Sequence, residues 1–223
     1  LTKSDRTSYL YDMNGQLITT IADVEFRDWV EIEDIPAMLQ NAFIAVEDVR
    51  FYKHNGLDYK RLFSAALEVL GSSNSSGGST ITQQLVRNRI LGNERRFKRK
   101  VQEAYIALEA EEVMEKSEIL EAYLNDVYLG ESNYGVKTAA KDYFGKELSE
   151  LTIRECAMLA GLTNQPYQLN PRKNMYQRDA FERTDQRTNT VLGRMYSAGF
   201  ITKEQYDAAL GEKVHILEVS EQK

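Results

Sequence analysis

Residues from which metal, redox and disulfide sites are built are scarce in this sequence. Its 223 residues include one cysteine, Cys156, and two histidines, His54 and His215. A single cysteine excludes a disulfide framework, and no set of Cys, His and carboxylate residues has metal-ligand spacing. Neither histidine lies in a motif that supports a Ser-His-Asp triad. The sequence therefore indicates no certain metal site and no serine hydrolase.

Long apolar runs are also missing. No stretch is long and apolar enough for a transmembrane helix, and the N-terminal residues LTKSDRTSYL lack signal-peptide character. We expect any membrane anchor or export signal to lie outside this chain. An S-x-x-K pattern occurs at Ser220–Lys223 with no K-T-G or S-D-N after it, and we interpret it as chance.

An overall excess of positive charge is absent too. The formal net charge of −6 argues against a nucleic-acid partner, so an anionic ligand requires a local basic patch. The stretch 85–100 contains one acidic residue, Glu94, among the following basic residues: Arg87, Arg89, Arg95, Arg96, Lys98, Arg99 and Lys100. A basic helical face is usually only solvated, so this patch alone does not establish a ligand site.

The patterns that are present predict a mainly α domain with a small N-terminal β element. Apolar residues on both sides of an Asn14-Gly15 turn predict a β-hairpin from Tyr9 to Ala22. Apolar residues with helical spacing predict helices from Pro36 to about Asp48, and over Tyr59–Leu70, Lys98–Lys116 and Ser117–Leu129. The glycine- and serine-rich run at 71–78 predicts a loop, and capping boxes are predicted at Thr80–Gln83, Thr152–Glu155 and Thr202–Gln205.

Glu47 is the first carboxylate that stands out. On a helix it shares a face with Phe43 at i−4, Ile44 at i−3 and Phe51 at i+4. Apolar neighbours disfavour the charged form of a carboxyl group, which suits a general base that works near neutral pH. The ordinary alternative, a half-buried polar residue without a function, is favoured by spacing alone.

Glu103 is the second carboxylate that stands out, and its neighbours are charged instead of apolar. Arg99 at i−4 and Lys100 at i−3 place two cations beside it, which keeps the carboxylate ionised. Two carboxylates in contrasting environments are what an acid-base or displacement site needs. The ordinary alternative for Glu103 is a surface salt bridge.

The stretch GGSTITQQ at 77–84 leads from a loop into a capped helix start. Free backbone N–H groups and the helix dipole at such an end attract anions. Gln84, Arg87 and Asn88 follow on adjacent turns, and the basic patch comes next. Together these residues predict a cradle for a pyrophosphate, although a plain helix cap is the commoner use of such a start.

These stretches form ordered motifs that resemble those of family 51 glycosyltransferases, the polymerase domains of class A penicillin-binding proteins. The motifs are EDVRFYKHNGLD at 47–58, GGSTITQQLVRN at 77–88, RKVQE at 99–103 and EILEAYLN at 118–125. Further similarity continues through Tyr134-Gly135, Ala139-Ala140, Tyr143–Gly145 and Glu155–Pro171. The resemblance covers residues 30–210, nearly the whole chain.

The resemblance implies a lysozyme-like, two-lobed α fold that polymerises lipid II, a disaccharide-pentapeptide on undecaprenyl pyrophosphate. Glu47 would deprotonate the 4-hydroxyl that attacks C1 of the growing, undecaprenyl-pyrophosphate-linked glycan, with inversion. Glu103, Arg99 and Lys100 would handle the pyrophosphate leaving group, and the family pattern allows a divalent cation (Mg or Mn) there without requiring one. Other matched positions line the donor site or support the first glutamate: Thr80, Gln84, Arg87 and Asn88, and Asp48, Phe51 and His54.

Two positions depart from the family pattern. The family usually has lysine at Arg87 and arginine at Ser64, and a guanidinium does not reproduce the geometry of an ammonium. Arg61 lies one turn before Ser64, and the sequence leaves open whether it substitutes. The apolar face of the Leu62–Leu70 helix suits either contact with a bilayer or packing on the core.

The resemblance also suggests an organisation and a location. We expect a hairpin and linker at 1–29, the glycosyltransferase domain at 30–210, and at 211–223 a linker toward an absent transpeptidase domain. Such a protein works on the outer face of the bacterial cytoplasmic membrane, in contact with the membrane surface and with other cell-wall synthesis proteins. The alternatives are a lysozyme-like hydrolase or lytic transglycosylase, and a non-catalytic lipid II-binding module.

Overall fold

The computed structural model of the chain describes residues 8–11, 17–21, 29–63, 78–89 and 96–218, and these residues are mainly helical. The helices are α1 (Ala37–Glu47), α2 (Ile81–Arg89), α3 (Arg96–Val113), α4 (Lys116–Asp126), α5 (Val136–Phe144), α6 (Ile153–Leu162), α7 (Pro171–Tyr176), α8 (Phe181–Ser197) and α9 (Lys203–Gly211). Short 3-10 turns occur at Ile32–Asp34, Phe51–Lys53 and Leu148–Glu150. The mainly α fold class predicted from the sequence is confirmed.

Two short strands lie near the N-terminus. The strands β1 (Ser8–Tyr11) and β2 (Leu17–Ile21) pair antiparallel, with Ser8 opposite Ile21 and an irregularity after Leu10. The predicted Asn14-Gly15 turn lies outside the described residues. So do residues 64–70 of the predicted second helix, which is described over 59–63, and residues 71–77 of the predicted loop.

The three predicted capping boxes are all present. At the start of α2, the backbone N–H of Thr80 donates to Gln83 Oε1 (3.0 Å), and the backbone N–H of Gln83 donates to Thr80 Oγ1 (3.1 Å). Thr152 and Thr202 cap α6 and α9 in the same way. Each such cap stabilises a helix start by about 1 kcal/mol, which explains why these boundaries could be predicted.

The core is built around α6, whose residues 154–162 are all buried. This helix packs between α1 and α8, while α2 packs against α3 and α4. An edge-to-face contact between the buried rings of Phe43 in α1 and Tyr123 in α4, with centroids 6.3 Å apart, connects the two groups of helices. The end of α1 therefore lies where elements from distant parts of the sequence meet.

Gly56 fixes the loop after α1 against α3. Its φ is +85°, a left-handed conformation that favours glycine, and a Cβ there would lie 2.6 Å from the carbonyl oxygen of Ala107. Ala107 lies one helical turn after Glu103 on α3. This close approach of backbones holds the first motif against the helix that carries the third.

The segment after α9 is tied to the core. The backbone N–H of Leu217 donates to the carbonyl of Tyr143 (2.8 Å), and the Tyr176 hydroxyl donates to the carbonyl of Ile216 (2.7 Å). The side chain of Ile216 is fully buried. Among the helices described here, none combines the length and apolar character that crossing a membrane requires.

Candidate active site

Glu47 is the last residue of α1, and its half-buried carboxylate is held by two neutral donors. The Gln84 side-chain amide donates to Oε2 at 2.8 Å, and the Thr163 hydroxyl donates to Oε1. These donors come from α2 and from the end of α6. Two donors on different oxygens fix the orientation of the carboxylate.

The orientation of the Gln84 amide is set by Tyr123. The Tyr123 hydroxyl donates to Gln84 Oε1 at 3.4 Å, which turns the NH₂ group of the amide toward Glu47. Burial raises the pKa of Tyr123 well above 10.0, and the carboxylates of Glu47 and Asp48 raise it further against the opposing effect of Arg87. Tyr123 is therefore a neutral donor throughout the physiological pH range.

The apolar residues predicted beside Glu47 lie in the hydrophobic core. Phe43, Ile44 and Phe51 are all buried. The helix ends close to the predicted end at about Asp48, but the predicted i+4 placement of Phe51 on the helical face of Glu47 is wrong, because α1 ends at Glu47 and Asp48 leaves the helical conformation (φ −158°, ψ 70°). Phe51 instead begins a 3-10 turn and still packs in the core.

Arginines satisfy the carbonyl groups at the end of α1. The guanidinium of Arg194 donates to the carbonyl of Val46 (2.9 Å), and that of Arg61 donates to the backbone carbonyl of Glu47. The last carbonyls of a helix have no intrahelical partner and carry partial negative charge, so cations stabilise this end. Both arginines line a cavity of about 360 Å³ that also contacts Glu47 and Asp48.

Asp48 is a structural carboxylate. It is 1% exposed, and its oxygens lie 2.9 and 3.0 Å from His54 Nε2. Asp48 Oδ2 also accepts from the backbone N–H of Ile81, the first residue of α2 (3.1 Å). The buried His54 Nδ1 has no hydrogen-bond partner among the described residues. Asp48 and His54 therefore join the end of α1 to the start of α2.

The start of α2 differs from the predicted open anion cradle. The Asp48 carboxylate accepts a hydrogen bond from the backbone N–H of Ile81, and the Thr80 hydroxyl oxygen accepts one from the backbone N–H of Gln83. Thr80 is fully buried, and its hydroxyl donates to the carbonyl of Gly56 (2.6 Å). Two of the N–H groups that attract an anion at this helix start are thus bonded within the protein. Asn88, at the other end of α2, is exposed.

Glu103 is buried, which excludes the alternative of an exposed surface ion pair. It is 1% exposed, with Arg99 Nε 3.3 Å from one carboxylate oxygen and Lys100 Nζ 2.8 Å from the other. Lys100 also donates to Ser79 Oγ (2.7 Å), just before α2. The side chains of Arg99 and Lys100 remain 31% and 46% exposed, so both cations can contact a ligand as well as Glu103.

The residues around Glu103 do not form a metal cage. Its two oxygens each face a cation, and no group of three or more His, Cys, Asp or Glu residues in the described part of the chain could hold a metal ion. A divalent ion prefers several oxygen ligands. No step of the chemistry below is therefore assigned to a metal.

Sequence reasoning missed three residues near Glu47: Thr163, Tyr123 and Arg187. Thr163 lies 116 residues from Glu47, so no local pattern connects them. Burial lowers the pKa of Arg187, Arg194 lowers it further, and the nearby Glu47 carboxylate raises it. An isolated arginine on an amphipathic helix looks like a solvated residue in the sequence, and only the fold places it beside Glu47.

Comparison with known proteins identifies the family. The family model described as Transglycosylase matches residues 14–196. The chain is 43% identical to penicillin-binding protein 1A of Clostridium tetani over 208 residues, which is 91% of the chain and 26% of that protein. It is 42% identical to penicillin-binding protein 1A of Escherichia coli over 207 residues, or 92% and 24%. The chain thus spans about a quarter of the length of these relatives.

A solved structure supports the same assignment. The crystal structure of penicillin-binding protein 1A from Haemophilus influenzae matches 93% of this chain and 20% of that chain, with 30% identity and a TM-score of 0.52. The sequence match, the order of the motifs and the helical architecture therefore agree. The chain belongs to the transglycosylase family, family 51 of the glycosyltransferases, as its motifs indicated.

Proposed function

We propose that this domain polymerises lipid II into glycan strands, with Glu47 as general base and Glu103, Arg99 and Lys100 at the leaving group. The observation that carries the proposal is the contrast between two carboxylates in one transglycosylase domain. Glu47 is held in place by neutral donors, whereas Glu103 is buried between two cations. One arrangement suits proton transfer and the other suits a departing anion.

At Glu47, the reaction takes a proton from the 4-hydroxyl of the incoming sugar. As the oxygen of that hydroxyl forms a bond to C1 of the growing glycan, the proton passes to the Glu47 carboxylate. Gln84 and Thr163 hold the carboxylate in one orientation, and positioning of this kind is worth several orders of magnitude in rate. Attack from the face opposite to the leaving group inverts C1.

At Glu103, the bond from C1 to the pyrophosphate oxygen breaks and the electron pair leaves with the pyrophosphate. Arg99 and Lys100 lie on one turn of α3 with their charges partly exposed, so they can pair with this anion. Glu103 keeps both cations at fixed positions. Arg87, where the family usually has lysine, extends the basic surface from α2.

Arg61 compensates for the serine at position 64 in this proposal. Ser64 lies outside the described residues, but Arg61 reaches the backbone carbonyl of Glu47 and lines the cavity beside it. Its backbone N–H donates to Asp58 Oδ1 (3.1 Å), which caps the helical segment 59–63. A guanidinium is thereby held at the site from one turn earlier than in the family pattern.

The domain limits, the membrane contact and the cellular location of the protein are part of the same proposal. We assign a lysozyme-like, two-lobed fold to residues 30–210, preceded by a hairpin and linker at 1–29 and followed at 211–223 by a linker to a transpeptidase domain. Leu62 and Phe63 are 37% and 68% exposed, which suits contact with the membrane surface. The protein works at the outer face of the bacterial cytoplasmic membrane, anchored by a preceding segment, with other cell-wall synthesis proteins.

The test is to incubate the protein and its Glu47→Gln variant with labelled lipid II in detergent and to resolve the products on a gel. We expect a ladder of glycan polymer from the wild type and none from the variant. Polymer from both proteins would retain the activity and overturn the role of Glu47. Release of soluble fragments from purified cell walls would favour a hydrolase or lytic transglycosylase. Lipid II binding without turnover in either form would favour a binding module.

A further inference from the structure

A second cavity, of about 300 Å³, is lined by Arg187, which lies near Glu47, and has no role in the proposed sugar transfer. The segment after α6 and one face of α8 supply its polar lining: Gln165, Gln168, Arg183, Gln186, Arg187 and Thr190. Amide, hydroxyl and guanidinium groups together suit a ligand that has peptide bonds and a carboxylate. We call this feature the α8 cavity.

Among the described residues, neither guanidinium group of the α8 cavity is hydrogen-bonded or ion-paired to a carboxylate, although Glu47 lies near Arg187. The Arg183 side chain makes no hydrogen bond or ion pair with any residue that the structure describes. Within the same residues, Arg187 uses only Nε, which donates to the carbonyl of Gly161 (3.2 Å). By contrast, Arg154 and Arg172 are each paired with acidic side chains. The α8 cavity therefore presents two cations that are available to a ligand.

The charge of Arg187 is only partly offset by the protein. Its guanidinium is half-buried, and burial and Arg194 lower its pKa overall although the Glu47 carboxylate raises it. Of the two acidic residues next to the lining residues in sequence, Glu182 is exposed and accepts a hydrogen bond from Gln186 (2.9 Å), and Asp185 pairs with Arg154. A ligand carboxylate in hydrogen-bond contact would stabilise this half-buried positive charge further, since burying a charge is unfavourable unless it is paired.

We propose that the α8 cavity binds a free carboxylate of the peptide carried by lipid II. Arg183 and Arg187 contact the carboxylate, and Gln165 and Gln168 contact the peptide groups. The inference rests on the proposed function. It also rests on position, because Thr163 contacts Glu47 and Gln165 follows two residues later. The α8 cavity is thereby joined to the proposed site of sugar transfer by the short segment 163–165 and by Arg187, which lies near Glu47.

The first experiment compares lipid II whose peptide carboxylates are free with lipid II in which they are amidated, so that only the peptide changes and the pyrophosphate does not. We expect the wild type to favour the free acid about five-fold in kcat/KM, the effect of a partly exposed charge-assisted contact. In Arg183→Gln the ratio should fall toward one. Lys203→Gln, which removes an exposed charge that does not line the cavity, should keep the wild-type ratio.

The outcomes separate this inference from the proposed function. Polymer from both substrates at equal rates in the wild type would overturn the peptide site and retain the polymerase.

If neither substrate is polymerised, the proposed function fails, and a binding measurement that does not depend on turnover decides whether the α8 cavity binds the peptide. For this, a soluble pentapeptide acid and its amide are titrated while backbone amide NMR shifts are followed. Shifts at Gln165, Gln168 and Thr190 with the acid only, lost in Arg183→Gln, support the site. Their absence with the wild type overturns it.

Discussion

The two carboxylates of this domain are held in opposite ways. Short neutral side chains from other helices fix Glu47, namely Gln84 and Thr163. Long cationic side chains from its own helix surround Glu103, namely Arg99 and Lys100. Neutral hydrogen-bond donors fix the position of the Glu47 carboxylate. The cations around Glu103 neutralise its negative charge, but their long side chains can still move. The difference teaches that position matters most at the first site and charge at the second.

The sharpest test shortens each carboxylate by one methylene. We expect Glu47→Asp to reduce the polymerisation rate about 100-fold, because a displacement of about 1 Å from two fixed donors misplaces the base. Glu103→Asp should cost less than about 10-fold, because Arg99 and Lys100 can follow the carboxylate. Initial rates with lipid II measure both, and circular dichroism melting checks folding. Equal losses in the two variants would break the comparison.

The second test asks how much the Glu47 region depends on Asp48. Asp48→Asn weakens the contacts to His54 and to the start of α2, so we expect a loss of about 2 kcal/mol in the free energy of unfolding. Asp207→Asn, which removes the exposed partner of Lys203, should leave the free energy of unfolding nearly unchanged, because exposed ion pairs are screened by solvent. Urea unfolding measures both. A similar, small loss in each would show that Asp48 does not join the two helices.

The third test changes the donor on Glu47. Gln84→Met keeps the size of the side chain and removes the hydrogen bond, and we expect a rate about 10-fold lower. Gln84→Glu places a second carboxylate beside Glu47, and two like charges so close disfavour ionisation of both. Its rate should therefore recover as the pH is raised, whereas that of Gln84→Met should not. Matching pH-rate profiles for the two variants would contradict this explanation.

The smallest expected effect concerns Tyr123. Tyr123→Phe removes only the hydroxyl that orients Gln84, and we expect a two- to five-fold lower rate, since the bond is long at 3.4 Å. A rate below about 1% of wild type would show a direct role for the hydroxyl in the reaction.

The raised pKa of Tyr123 predicts how the free energy of unfolding changes at alkaline pH. Its folded-state pKa is raised above 10.0 by burial, so the neutral ring favours the folded state. This contribution is complete below the unfolded pKa of about 10 and is lost as the pH rises from there toward the folded value. Ultraviolet titration of tyrosinate, wild type minus Tyr123→Phe, should show this ring ionising only when the protein unfolds. Ionisation near pH 10 in the folded protein would refute the assignment.

Helix starts could be predicted from the sequence because they depend on residues close together in the chain. The capping boxes at Thr80, Thr152 and Thr202 appear as predicted, because each cap needs only residues three positions apart. The predicted helical face shared by Glu47 and Phe51 is wrong, because the helix ends at Glu47 and Phe51 reaches the core from the following 3-10 turn. The capping pattern at α2 likewise could not show that Asp48, from another element, accepts a hydrogen bond from the N–H of Ile81.

The sequence by itself determined the family, the mainly α fold class and the contrast between an apolar-flanked and a cation-flanked glutamate. These follow from ordered motifs and from neighbours within one or two helical turns, where spacing dictates proximity. Only the tertiary structure decided that Thr163 binds Glu47, that Arg61 and Arg194 close the end of α1, and that Arg183 and Arg187 share a cavity. Such contacts depend on how α1, α6 and α8 pack, and no residue pattern along the chain encodes that packing directly.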